Sequence, residues 1–112
     1  MKIKEIIIDP NAKDLKKLDI GEVVDSMKKK IEYVDINFTN IKKNEFFIHD
    51  LFFISNGSST YLFLVYKYHN MRVLLQFDDK AQALIIRKVH LKKKNKQKYY
   101  LEFRDYARKV VC

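Results

Sequence analysis

Residues 60–77 read TYLFLVYKYHNMRVLLQF, two apolar runs joined by His69-Asn70, and this stretch decides the fold. β-branched and aromatic side chains fill both runs, and a two-residue polar break between such runs marks a β-hairpin. Asn tolerates positive φ, so the His69-Asn70 dipeptide is a plausible tight turn. Counting outward from it fixes the register. Tyr68 faces Met71, Tyr66 faces Val73, Leu64 faces Leu75 and Leu62 faces Phe77, giving one wholly apolar face for the core. The opposite face carries Tyr61, Phe63, Val65, Lys67, Arg72, Leu74, Gln76 and Asp78. It reads as a mixture of charge and exposed aromatics.

Working outward, Ser55-Asn56-Gly57-Ser58-Ser59 is the clearest loop, and residues 45–54 before it form a heavily aromatic strand. Further upstream, 33–41 alternates as a half-buried strand, and Lys42-Lys43-Asn44 reads as a turn. Asp19 and Glu22 make a capping box for a helix over 20–32, with Val23, Val24, Met27 and Ile31 on its apolar side. The Lys28-Lys29-Lys30 run then falls at that helix's C-terminal end, where the dipole favours cations. Asp9-Pro10 starts a short helix over about 10–18, after a first strand at 3–8. Downstream, 84–91 is a strand. Its Lys88 and His90, with Lys92 just beyond, are expected to point away from the main core. Tyr99, Phe103, Tyr106 and Val110 recur at helical spacing, which favours a terminal helix over 99–111. The rival reading there is a strand through Tyr99, Leu101 and Phe103.

These elements predict a single α+β domain over 1–112. Its sheet is mostly antiparallel, of about five to six strands, with an N-terminal helical segment and a C-terminal helix on one side. A chain of 112 residues with 15 Phe and Tyr buries a real core without disulfides or metal. No domain boundary or repeat is visible.

Charge is the feature that points beyond the fold. The net charge is +9. Residues 1–56 hold 10 Lys and 10 acids, whereas 57–112 hold 13 Lys and Arg against 4 acids. The whole imbalance therefore lies in the second half. Lys92, Lys93, Lys94, Lys96 and Lys98 place five ammonium groups within seven residues. Arg87, Lys88, Arg104, Arg108 and Lys109 flank them. Such density attracts polyanions; the plainer reading is that it keeps an aromatic-rich domain soluble. Lysine outnumbers arginine 19 to 4, which suits backbone attraction better than base reading. Tyr99 and Tyr100 stand beside the lysines, where rings can stack on bases. For any one ring, a core position is the simpler explanation.

Catalytic chemistry finds little support. There are two glycines, so no phosphate-cradling loop forms. The His49-Asp50 pair falls inside a strand, where neighbours point to opposite faces. His49, His69, His90 and Cys112 do not follow zinc-ligand spacing, and no cofactor is implied. Cys112 has no intrachain partner, and no apolar run approaches membrane-spanning length. A cytoplasmic protein is expected, in the host cytoplasm if viral; the Lys, Ile, Asn and aromatic bias fits an AT-rich genome.

The expected function is a small, non-enzymatic, nucleic-acid-binding protein of low sequence specificity. It would grip DNA or RNA through Arg72, Arg87, Lys88, Lys92, Lys93, Lys94, Lys96, Lys98, Tyr99, Tyr100, Arg104 and Arg108. The alternative is a protein-interaction module, such as a viral or mobile-element inhibitor docking on an acidic protein surface, with a homodimer also open. Attachment to an anionic membrane surface ranks last, because no acylation signal or insertion helix accompanies the lysines.

Overall fold

The structure, a computed structural model, describes residues 3–12, 20–31, 48–91 and 96–112. The elements run β1 (Glu5–Ile8), α1 (Ile20–Ile31), β2 (Ile48–Asn56), β3 (Ser59–Tyr68), β4 (Met71–Asp78), β5 (Ala83–Leu91) and α2 (Lys96–Val111). The helix expected at 10–18, the strand at 33–41, the turn at 42–44 and Lys92 to Lys94 lie outside or largely outside the described residues.

The strands form one five-stranded sheet in the order β1-β5-β4-β3-β2. The β3–β4 register is the one counted from the sequence, from Tyr68 opposite Met71 to Leu62 opposite Phe77. In the turn it is His69 that takes positive φ, at 51°, and its ring packs edge-on against Tyr68 at 4.4 Å. The loop at 55–59 tightens to Gly57-Ser58, closed by the Asn56–Ser59 pair. Gly57 has φ 61°, a conformation that glycine adopts without strain at the first position of a hairpin turn. The C-terminal segment is helical, as favoured over the strand reading. β1 joins the sheet parallel to β5, with Ile6 opposite Leu84 and Ile8 opposite Ile86. It is the one parallel pair in a sheet that is otherwise antiparallel.

Two cores sit on opposite faces of this sheet. On the first face, Val23 and Met27 of α1 pack against Leu62, Leu64, Tyr66, Val73, Leu75, Phe77, Leu84 and Ile86. Ser26 Oγ and Tyr66 Oη lie 2.6 Å apart, pinning α1 to β3. On the second face, Tyr99, Phe103 and Ala107 of α2 pack on Phe52, Ile54, Phe63, Val65 and Leu74. The helices therefore cover both sides of the sheet, which corrects the expectation that they share one side. The hairpin's second face is not an exposed mixture either: Phe63, Val65 and Leu74 are fully buried beneath α2. Strands covered on both faces carry continuous apolar runs, as 62–66 and 73–75 do.

β5 changes side partway. Its pairing slips between Leu74–Lys88 and Leu75–Ile86, so Arg87 is the extra residue of a bulge. Ile86 and Val89 belong to the first core. Lys88 and His90 turn away from it, as expected, but they meet α2.

Candidate nucleic-acid interface

α2 positions most of the predicted cationic side chains that the structure describes. Tyr99, Phe103 and Ala107 recur every four residues and bind the helix to the sheet. That stripe fixes which residues face outward. Tyr100, Arg104 and Arg108 also recur every four residues, one position on from the buried stripe, and climb about 12 Å along the helix, with Tyr100 and Arg104 half-buried and Arg108 exposed.

Arg104 is held in this row by aromatics. Its guanidinium lies 5.0 Å from the Phe52 ring centroid and 4.7 Å from that of Tyr100, and Nη2 donates to the Tyr100 hydroxyl. Stacking of this kind orders a guanidinium while leaving part of its donor fork available. Tyr100 meets Phe52 edge-on at 6.1 Å. Arg108 is exposed and pairs loosely with Asp105, at 3.3 Å.

The helix ends are charged unequally. Arg108 and Lys109 in the last turn suit the dipole, but the first turn contains no acid. It carries Lys96 and Lys98 instead, after three further lysines in the sequence. Cations at a helix N-terminus oppose the dipole and typically cost a few tenths of a kcal/mol each. The lysines and the helix end thus add to one positive potential.

Other predicted site residues are placed differently. Arg72 is 2% exposed, beneath α2, and Tyr99 is 7% exposed. The Arg72 guanidinium sits 6.0 Å from the Tyr99 ring, and its Nη1 donates to the Met71 carbonyl at 3.1 Å. Neither group presents itself to a polynucleotide, because α2 closes over that face. Arg72 Nε has no hydrogen-bond partner. A buried cation so poorly compensated contributes little stability, so Arg72→Met is expected to leave the thermal midpoint unchanged or raise it. A fall equivalent to more than about 2 kcal/mol would contradict this.

Arg87 is also drawn inward. Nη1 donates to Asp9 Oδ2 at 2.9 Å, while Nε and Nη2 donate to Gln76 Oε1 at 3.0 and 2.8 Å. Asp9 is buried, which by itself raises its carboxyl pKa. The Asn11 amide and Arg87 more than offset this and hold it below the usual carboxylate range. Lys88 Nζ lies 3.4 Å from Glu102 Oε1 and 5.0 Å from the Tyr106 ring centroid. His90 Nδ1 meets the other Glu102 oxygen at 3.1 Å. Glu102 therefore ties β5 to α2.

The site thus contracts to the outer row of α2 with its lysine-rich start. Spacing alone carries the signal for that row, since the four-residue period is present in the sequence. Phe52, the platform beneath Arg104, came from a distant strand and had no local signal. Of the His49-Asp50 pair, Asp50 Oδ1 accepts the Leu51 amide at 2.9 Å. Among the described residues no three His, Cys, Asp or Glu side chains converge as metal ligands. No described helix is long and apolar enough to cross a membrane. Comparison with family models, curated proteins and solved structures returns no match.

Proposed function

We propose that this protein is a non-enzymatic nucleic-acid-binding protein of low sequence specificity, gripping phosphates along the outer row of α2. The supporting observation is the row itself: Arg104 and Arg108 one turn apart on one ridge, Arg104 ordered against aromatics, and no acid in the helix's first turn. Lys92, Lys93, Lys94, Lys96 and Lys98 extend the same positive potential by sequence. Tyr100, half-buried under Arg104, offers an aromatic edge beside it. A cytoplasmic setting goes with this reading.

Fluorescence anisotropy against labelled single-stranded DNA, duplex DNA and RNA tests it. With about five phosphates neutralised, log K should fall against log salt with a slope of roughly −3.5 to −4.5. Replacing Lys92, Lys93, Lys94 and Lys96 together by alanine should reduce both the affinity and the slope. A flat salt response removes the proposal.

One observation favours a second reading, docking on an acidic protein surface. Leu101 is 64% exposed on α2, the most exposed large apolar residue described. An apolar anchor among cations suits a protein groove better than a phosphate backbone. Leu101→Ser should leave polynucleotide affinity unchanged under the first reading.

A further inference from the structure

The row on α2 leads away from the helix's first turn. α2 finishes where Asn56 Nδ2 donates to the Val111 carbonyl, at 2.9 Å. At this same end, beyond the last helical turn, a cleft of about 480 Å³ opens at the ends of β3 and β4. Its lining includes Thr60, Tyr61, Gln76, Asp78, Asp79 and Lys80. That volume falls within the range of small-ligand sites.

Gln76 decides what the cleft can bind. It is 8% exposed, and its Oε1 receives two bonds from Arg87. A guanidinium only donates, so the amide atom facing it must be the oxygen. Asp9 holds the other arm of Arg87, which fixes that orientation. The Gln76 NH2 must then point the other way, and among the described residues it has no hydrogen-bond acceptor. Gln76 Nε2 still reaches solvent, so it donates to water in the cleft until a ligand takes that water's place.

Asp78 follows two residues along the same strand and so shares its face. Its Oδ1 receives the Lys80 amide at 3.1 Å and the Ala81 amide at 3.4 Å, which hold the carboxylate in place. Its Oδ2 remains to accept. Tyr61, one position beyond the Leu62–Phe77 pair, adds an aromatic wall. The cleft thus offers one fixed donor, one charged acceptor beside it, and a ring.

From this pattern we infer that the cleft is a nucleobase site selective for guanine. Guanine's pairing edge runs O6, N1–H, N2–H: one acceptor, then two adjacent donors. Gln76 donates to O6, and Asp78 Oδ2, the oxygen not held by the Lys80 and Ala81 amides, accepts from N1–H and N2–H together. Uracil places its O2 against the carboxylate, which repels it. Cytosine and adenine supply one exocyclic donor each, and their ring acceptor stands next to it. The carboxylate therefore gains most from guanine, because charge-assisted bonds are the stronger ones. This deepens the nucleic-acid reading: phosphates follow α2, and one base is read at its far end.

The test uses nucleosides, which carry no phosphate and so do not depend on the lysines. Guanosine, adenosine, cytidine and uridine are titrated separately into the full-length ¹⁵N-labelled protein. Guanosine should move the amide signals of residues 60–61 and 76–80 along a saturating curve, with affinity about tenfold above uridine. Gln76→Glu keeps an oxygen for Arg87 but replaces the NH2 by an acceptor. Asp78→Asn keeps the oxygen that caps the turn but removes the charge. Each should weaken guanosine about tenfold or more, with the circular dichroism spectrum unchanged. The inference is overturned if guanosine moves nothing at these residues, if all four nucleosides bind alike, or if both variants bind guanosine like the wild type. Salt-sensitive polynucleotide binding that survives such a result would leave the phosphate grip standing. Guanosine binding without polynucleotide binding would remove only the grip.

Discussion

Phe103→Ala is expected to destabilise the protein by about 4 kcal/mol. Phe103 is fully buried at the centre of the second core. Its ring meets Tyr99 edge-on at 5.6 Å and His90 at 6.4 Å. It is also the middle of the three residues that dock α2, between Tyr99 and Ala107. Truncation leaves a void in a surface that Phe63, Val65 and Leu74 cannot collapse to fill, since they are anchored in central strands. A domain of this size has a total stability of about 5–15 kcal/mol, so the loss is a large share. Urea denaturation should show a lower midpoint with little change in slope. Leu101→Ala, on the exposed side of the same helix, should stay within about 0.5 kcal/mol of the wild type. A Phe103→Ala loss below about 1.5 kcal/mol would mean that α2 is held by something other than this stripe. Because the same helix carries Arg104 and Arg108, its loosening should also raise amide exchange in α2 and weaken any polyanion binding that depends on the row.

The hairpin was legible because its register is local. Two residues of turn and a period of two determine every pair from Tyr68–Met71 to Leu62–Phe77. The spacing of Val23 and Met27, and of Tyr99 and Phe103, likewise announced both helices. What the sequence did not disclose is which surface each helix covers. The run from Leu62 to Tyr66 did imply that both faces are covered, since an unbroken apolar stretch has no solvent face to spare. Reading it as alternating put Phe63 and Arg72 outside, whereas both are buried. The bulge at Arg87 was illegible for a different reason. It depends on where β5 meets β4 and on Asp9, 78 residues earlier in the chain. Charge behaved the same way: counting cations over 57–112 gave their sum, but not that Arg87 and Lys88, on β5, are each paired with a carboxylate. Those pairings move the candidate site onto the outer row of α2, a change that only three-dimensional contacts reveal.

Asp9→Asn is expected to cost about 3 kcal/mol at neutral pH, because it leaves the Arg87 cation without its carboxylate partner. The Asp9 side chain is 4% exposed and that of Arg87 19%, so water does little to replace the lost charge. Asparagine can still accept the Asn11 amide, now 2.9 Å from Asp9 Oδ1, so the loop geometry should survive. The difference between variant and wild type should also depend on pH. The folded-state pKa of Asp9 is depressed, through the Asn11 amide and Arg87 acting against burial. A depressed carboxyl pKa stabilises the fold above the unfolded value, near about 3.9, and that contribution disappears as pH falls through the folded value. Wild type and variant should therefore converge in acid, below about pH 4, and stand furthest apart from there up to neutrality. Thermal denaturation across that range measures the gap; a gap that stays constant into acid would show that the Asp9 charge is not what Arg87 relies on. The same substitution reaches the cleft. Without Asp9 the Arg87 fork is anchored at one end only, and the Gln76 amide is freer to turn. Guanosine affinity should then fall in Asp9→Asn even though residue 9 does not line the cleft. Salt-dependent polynucleotide affinity, carried by α2 on the other side of the bulge, should change far less.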